Sequence, residues 1–145
     1  MANRTSLRHI FARSVVLLAS GCCVPHAFGG QTAPRVIEIL ADHDSRYKVQ
    51  GQKQPVITVK AGEEITLRIT AVKAKSHNRD GSIHGFTLLR AADRKPVPGW
   101  DFLLRPGTEE FTVTAPTEPG EYMVVCTVIC SENHEQMTMR FVVEP

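Results

Sequence analysis

The chain has 145 residues, 42% hydrophobic and 22% charged, which fits one globular domain long enough to bury a core. Its net charge of +2 leans on Arg4, Arg8 and Arg13; without these three of the 17 basic residues, 14 remain against 15 acidic ones. That near-neutral balance excludes a basic nucleic-acid-binding footprint, and no Gly-rich phosphate loop or G-x-S-x-G elbow is present.

Residues 1–29 have the layout of a secretory signal. The three arginines and no acidic residue come first, and a short apolar run, Val15 to Val24, follows. The run is shorter than the ~20 apolar residues a bilayer span takes. Small residues at Ala27 and Gly29 suit cleavage. Leu18-Ala19-Ser20-Gly21-Cys22 is an imperfect lipobox, so a lipid anchor through Cys22 is the second expectation. The expected product is exported, periplasmic or extracellular, with no transmembrane span in its mature domain.

Residues 30–34 read as a linker and 35–145 as one domain. Strands are predicted where β-type runs alternate between turn signals. Arg35 to Ala41 alternates around Val36, Ile37 and Ile39, and Val56 to Lys60 is closed by Ala61-Gly62. In Glu64 to Val72, Ile65, Leu67 and Ile69 face one way and the polar residues the other. Lys73 to Ser82 is a polar loop. Ile83 to Leu89 is a strand with His84 near its start, and Arg90 to Pro98 a charged connection. Trp100 to Leu104, Glu109 to Ala115, Tyr122 to Val125 and Thr138 to Val143 complete the set. Eight short strands without a convincing helix predict an all-β Greek-key sandwich.

The segment from Cys126 to Met137 carries the chemistry. Its spacing is C-x3-C-x3-H-x2-M, through Cys126, Cys130, His134 and Met137. Thiolate and thioether favour copper(I), and imidazole suits both copper oxidation states. Structural zinc sites usually recruit only Cys and His, in pairs such as C-x2-C. In an oxidising compartment, two cysteines also suit a disulfide. On an extended strand their Cα atoms would lie ~13 Å apart, too far to bridge; a turned loop permits either a disulfide or a shared metal. The loop lies between the last two strands, so His84, on another strand, can reach it across one end of a sandwich.

At these residues the chain resembles the cupredoxin domain of cytochrome c oxidase subunit II, which carries the binuclear CuA centre; nitrous oxide reductase has a similar domain. The pattern of an upstream His followed by C-x3-C-x3-H-x2-M falls on His84, Cys126, Cys130, His134 and Met137. Val97-Pro98-Gly99 and Pro119-Gly120-Glu121-Tyr122 also look familiar, and the likeness spans about 35–143. The resemblance implies a cupredoxin-like sandwich holding two copper ions. Cys126 and Cys130 would bridge them, His84 and Met137 would complete one, and His134 with the Val128 carbonyl the other. It implies one-electron transfer, by a carrier rather than an enzyme on its own, with a c-type cytochrome or an oxidase as redox partner.

The chain departs from the pattern at Val128, where the family often has Glu, and at Ser131, where it commonly has Gly. The aromatic-rich entry strand of the oxidase is reduced to Tyr47. Oxidase subunit II also has two transmembrane helices, which are not expected here; the reduced aromatic route and the missing membrane anchor leave room for a copper buffer or donor that works with a copper chaperone. Thiol–disulfide chemistry by Cys126 and Cys130 is a third reading; it lacks the βαβ context of thioredoxin-like motifs. Mononuclear blue copper needs only one Cys, and its loop spacing differs. His43 and His77 read as solvated loop residues, Trp100 as a core or rim aromatic, and Glu132 and Glu135 as solvent-facing carboxylates.

Overall fold

The computed structural model describes residues 33–145. The expected export signal, and all but the end of the expected linker, lie outside the described residues. Among these residues nine strands form two layers: β1 (Arg35–Asp42), β2 (Arg46–Val49), β3 (Val56–Lys60), β4 (Glu64–Ala71), β5 (His84–Arg90), β6 (Pro96–Leu104), β7 (Gly107–Thr114), β8 (Gly120–Val125) and β9 (Thr138–Glu144). One sheet runs β2-β1-β4-β7 and the other β3-β9-β8-β5-β6. The pairs β1·β4 and β3·β9 are parallel, and the remaining neighbours are antiparallel. The fold is an all-β Greek-key sandwich, as the strand pattern predicts. No helix among the described residues is long and apolar enough to cross a membrane.

Period-2 alternation aims one face of each strand inward. In β4, Ile65, Leu67 and Ile69 are buried, as are Met139, Phe141 and Val143 in β9. The outward Arg68 pairs instead with Glu38 of β1 and Glu110 of β7. Trp100 is buried edge-on against Phe141, ring centroids 5.2 Å apart, and its indole N–H donates to the Thr114 carbonyl of the facing sheet at 3.1 Å. It is a core aromatic with its polar atom satisfied.

Two elements differ from the sequence expectation. The short β2 offers only Tyr47 and Val49 as apolar residues, too little to show a period; pairing with β1 from Ile39↔Val49 to Asp42↔Arg46 makes it a strand. The connection expected through Pro98 is already β6 from Pro96 onward. Prolines lack the N–H a ladder needs, and β6 tolerates two because it is an edge strand.

Candidate metal centre

The loop from Cys126 to Met137 links β8 to β9 at the end of the sandwich where β5 begins. It is turned, not extended. The Cys126 N–H donates to the Met137 carbonyl at 3.1 Å, pinning the two ends of the loop together. Within it, the Val128 carbonyl accepts the Cys130 N–H at 2.8 Å and faces the Cys126 thiol at 3.3 Å. The sulfurs of Cys126 and Cys130 come to 3.8 Å as free thiols. A short 3₁₀ turn, His134–Gln136, closes the loop. From the neighbouring loop, Ser76 donates its N–H to the Cys130 carbonyl at 3.1 Å and its hydroxyl to the Ile129 carbonyl at 2.5 Å.

His84 enters from β5 and is fully buried. Its Nε2–H donates to the Val72 carbonyl at 3.1 Å, which fixes the tautomer and leaves the Nδ1 lone pair free. That Nδ1 has no hydrogen-bond partner among the described residues. Buried polar atoms are nearly always paired, so an orphan of this kind calls for an explanation. The ligating atoms of His84, Cys126 and Cys130 lie within 4.8 Å of one another. Burial lowers the His84 pKa, keeping the ring neutral, and pushes the Cys126 thiol up to about 11.

Met137 and Val128 are buried in the same loop. His134 is half-buried and stands outside the three-donor cluster; its Nδ1 lies 3.0 Å from the Ser131 carbonyl, as a donor. His43 and His77 are exposed, His43 beside Asp42, and Glu132 and Glu135 face solvent.

Gly85 and Ser45 escape the sequence reading, and Tyr47 enters it only as the remnant of an aromatic strand, not for its contact with Gly85. Gly85 donates its N–H to the Cys126 sulfur at 3.3 Å, and a Cβ there would sit 2.7 Å from the Thr127 nitrogen. A glycine inside a strand signals close approach of this kind, although it does not say to what. Tyr47 is buried edge-on against Phe86 and donates its hydroxyl to the Gly85 carbonyl. Ser45, in the β1–β2 turn, lies beside Cys130. No sequence signal marks Ser45, because its role arises only when the hairpin closes over the loop.

A neutral imidazole with a free lone pair beside two thiols is a metal-binding donor set, and its two sulfurs make it a soft one. The buried orphan Nδ1 fits a site built for an ion.

The sandwich has the cupredoxin fold. Among solved structures it is similar to auracyanin B, at 18% identity over 79% of this chain and 92% of that one, with a TM-score of 0.52. The periplasmic domain of subunit II of cytochrome oxidase from Bradyrhizobium japonicum is 16% identical over 79% of this chain and 86% of that one, TM-score 0.48. Reduced rusticyanin is 18% identical over 75% and 76%, also with a TM-score of 0.48. No family model matches the sequence, and no curated protein does.

Proposed function

We propose that this chain is an exported copper protein that carries single electrons through a dinuclear, CuA-like centre. The observation that carries the reading is the buried, unpartnered Nδ1 of His84 beside two free thiols whose sulfurs are 3.8 Å apart. Two sulfurs at that separation suit sharing between ions, and a mononuclear blue-copper site has no use for the second.

In this reading Cys126 and Cys130 would hold both ions as thiolates. His84 and Met137 would complete the holding of one ion, and His134 and the Val128 carbonyl that of the other. Bound copper supplies one-electron redox chemistry without bond making. The protein's part is to hold the donors still. Val72 orients His84, Met137 ties off the loop at Cys126, and Ser76 clamps the loop from outside. Burial excludes water from the sulfurs. His134 must release its bond to the Ser131 carbonyl if it is to bind through Nδ1. The fold and the expected export signal favour a periplasmic or extracellular site of action, with a c-type cytochrome or an oxidase as partner.

Reconstitution with copper tests the reading. Two coppers per chain are expected, with a purple chromophore and a spin-resonance signal of one electron shared by two metals. One copper per chain, or a simple blue spectrum, refutes the dinuclear centre. Cys126→Ser and Cys130→Ser are each expected to abolish that signal.

A second reading, copper buffering or donation, is favoured by His134 standing apart from the other three donors. Three donors without it are enough to hold one soft copper(I). A donor loses copper readily to an acceptor, whereas a carrier keeps it through repeated oxidation and reduction. Thiol–disulfide exchange gains no support from a buried Cys126 thiol whose pKa is raised, because reactive cysteines have lowered ones.

A further inference from the structure

Ser45 occupies a position that the turn alone does not explain. It closes the β1–β2 hairpin, its N–H donating to the Asp42 carbonyl at 3.1 Å, with φ at 59°. This left-handed conformation favours glycine or asparagine. A serine is there instead, only 4% exposed. Its hydroxyl lies 2.5 Å from the Ser131 hydroxyl and 3.8 Å from the Cys130 sulfur. Ser131 is also where the chain departs from the glycine common in the family it resembles.

We infer that the Ser45 hydroxyl is a hydrogen-bond donor to the Cys130 thiolate and thereby sets the reduction potential of the metal centre. The inference rests on the copper reading above. The order of the protons follows from a third contact: the Asn133 N–H donates to the Ser131 oxygen at 3.1 Å. With that donor in place, Ser131 can pass its own proton toward the Ser45 oxygen, and the Ser45 proton is left for sulfur. A metal-bound cysteine has lost its proton and can only accept. The order Asn133 N–H, Ser131 O–H, Ser45 O–H, Cys130 sulfur is then the one that gives this sulfur a donor. Dipoles aligned in such a chain polarise one another. Contact with a thiolate is also shorter and stronger than with a neutral thiol. Gly85 N–H, from β5, already serves Cys126 at 3.3 Å, so with Ser45, from the β1–β2 turn, each cysteine sulfur gains one donor. Hydrogen bonds to a ligating sulfur draw charge from it, favour the electron-rich reduced state and raise the potential.

The test compares copper-loaded wild type with Ser45→Gly and Ser131→Ala. Glycine suits φ of 59°, so the hairpin keeps its shape without the hydroxyl, and the urea midpoint of the metal-free variant should not fall. Copper content is expected to stay at the wild-type value. The one-electron equilibrium should shift toward the oxidised form by about three- to tenfold, tenfold being about 59 mV. The thiolate-to-copper charge-transfer band should move to lower energy. Ser131→Ala leaves the donor in place and is expected to shift both readouts less. An unchanged potential and band in copper-loaded Ser45→Gly overturns the inference alone. So does a Ser131→Ala shift as large as that of Ser45→Gly, because loss of the loop contact would then explain both. A wild-type protein with no thiolate-to-copper band removes the copper reading, and this inference with it.

Discussion

Gly85 does three things at once. Its N–H serves the Cys126 sulfur, its carbonyl takes the Tyr47 hydroxyl, and its missing side chain lets Thr127 pass close by. Gly85→Ala forces a methyl against the Thr127 backbone, an overpacking cost of about 1–3 kcal/mol. The displaced loop should also weaken copper binding, and chelator competition with urea melts would measure both effects. Tyr47→Phe leaves the buried Gly85 carbonyl without that donor and should cost about 1 kcal/mol, with the fold intact by circular dichroism. Copper uptake should strengthen as pH rises through the neutral range. Both thiols must lose protons to bind, and burial holds that of Cys126 up to about 11. An affinity independent of pH would contradict thiolate ligation. At this scale the sequence is legible where ligand chemistry fixes residue type. Cys126, Cys130 and His84 are chosen by their donor atoms, and the structure gathers those three. Ser45 and Gly85 act through cross-sheet approach, which no spacing along the chain encodes.

The β1–β2 hairpin supports the ligand loop from one side and carries its own ionic anchor. The hydrogen bond from Lys48 to Asp42 holds the Asp42 carboxyl down to about 2, with the His43 N–H at 2.7 Å assisting. A depressed carboxylate stabilises the fold above its ordinary pKa near 4, and that contribution fades as pH falls toward 2. Lys48 is about half exposed, so solvent screens the pair and its contribution is small. Asp42→Asn should remove this increment at pH 6 and change little at pH 2, as read by urea midpoints at the two values. The hairpin is also where sequence reasoning falls short. Strands β4 and β9 declare themselves because every second residue is large and buried. In β2 a single buried Tyr47 lies among charged neighbours, and only the partner strand defines the element. The edge position of β6 likewise depends on which strands flank it, so Pro96 and Pro98 read as a loop until the sheet order is known.

The whole sandwich brings His84 and the ligand loop to one end, with donors reaching the site from two separate stretches of chain. An unfolded chain does not hold them together, so metal binding should stabilise the native state by mass action. With free copper about 1,000-fold above Kd, the gain is about 4 kcal/mol, enough to raise Tm by at least roughly 10 °C in a domain of this size. Differential scanning calorimetry with and without copper checks this, and Cys126→Ser should lose most of the gain. Ile129, 68% exposed between the two cysteines, is a large apolar side chain left uncovered at that end.

The strand β9, latest in order among the described residues, is an inner one. β9 lies between β3, its parallel neighbour, and β8, its antiparallel one, and Val56 waits for Arg140 before their ladder can start. A chain emerging from its N-terminus therefore cannot finish this sheet until Thr138–Glu144 arrives. Such long-range parallel pairing makes folding slow. The loop holding both cysteines is tied off only when Met137, just ahead of β9, reaches Cys126. On the proposed copper reading, metal capture is then a late event, and until it both thiols are open to oxidants and to any competing ion.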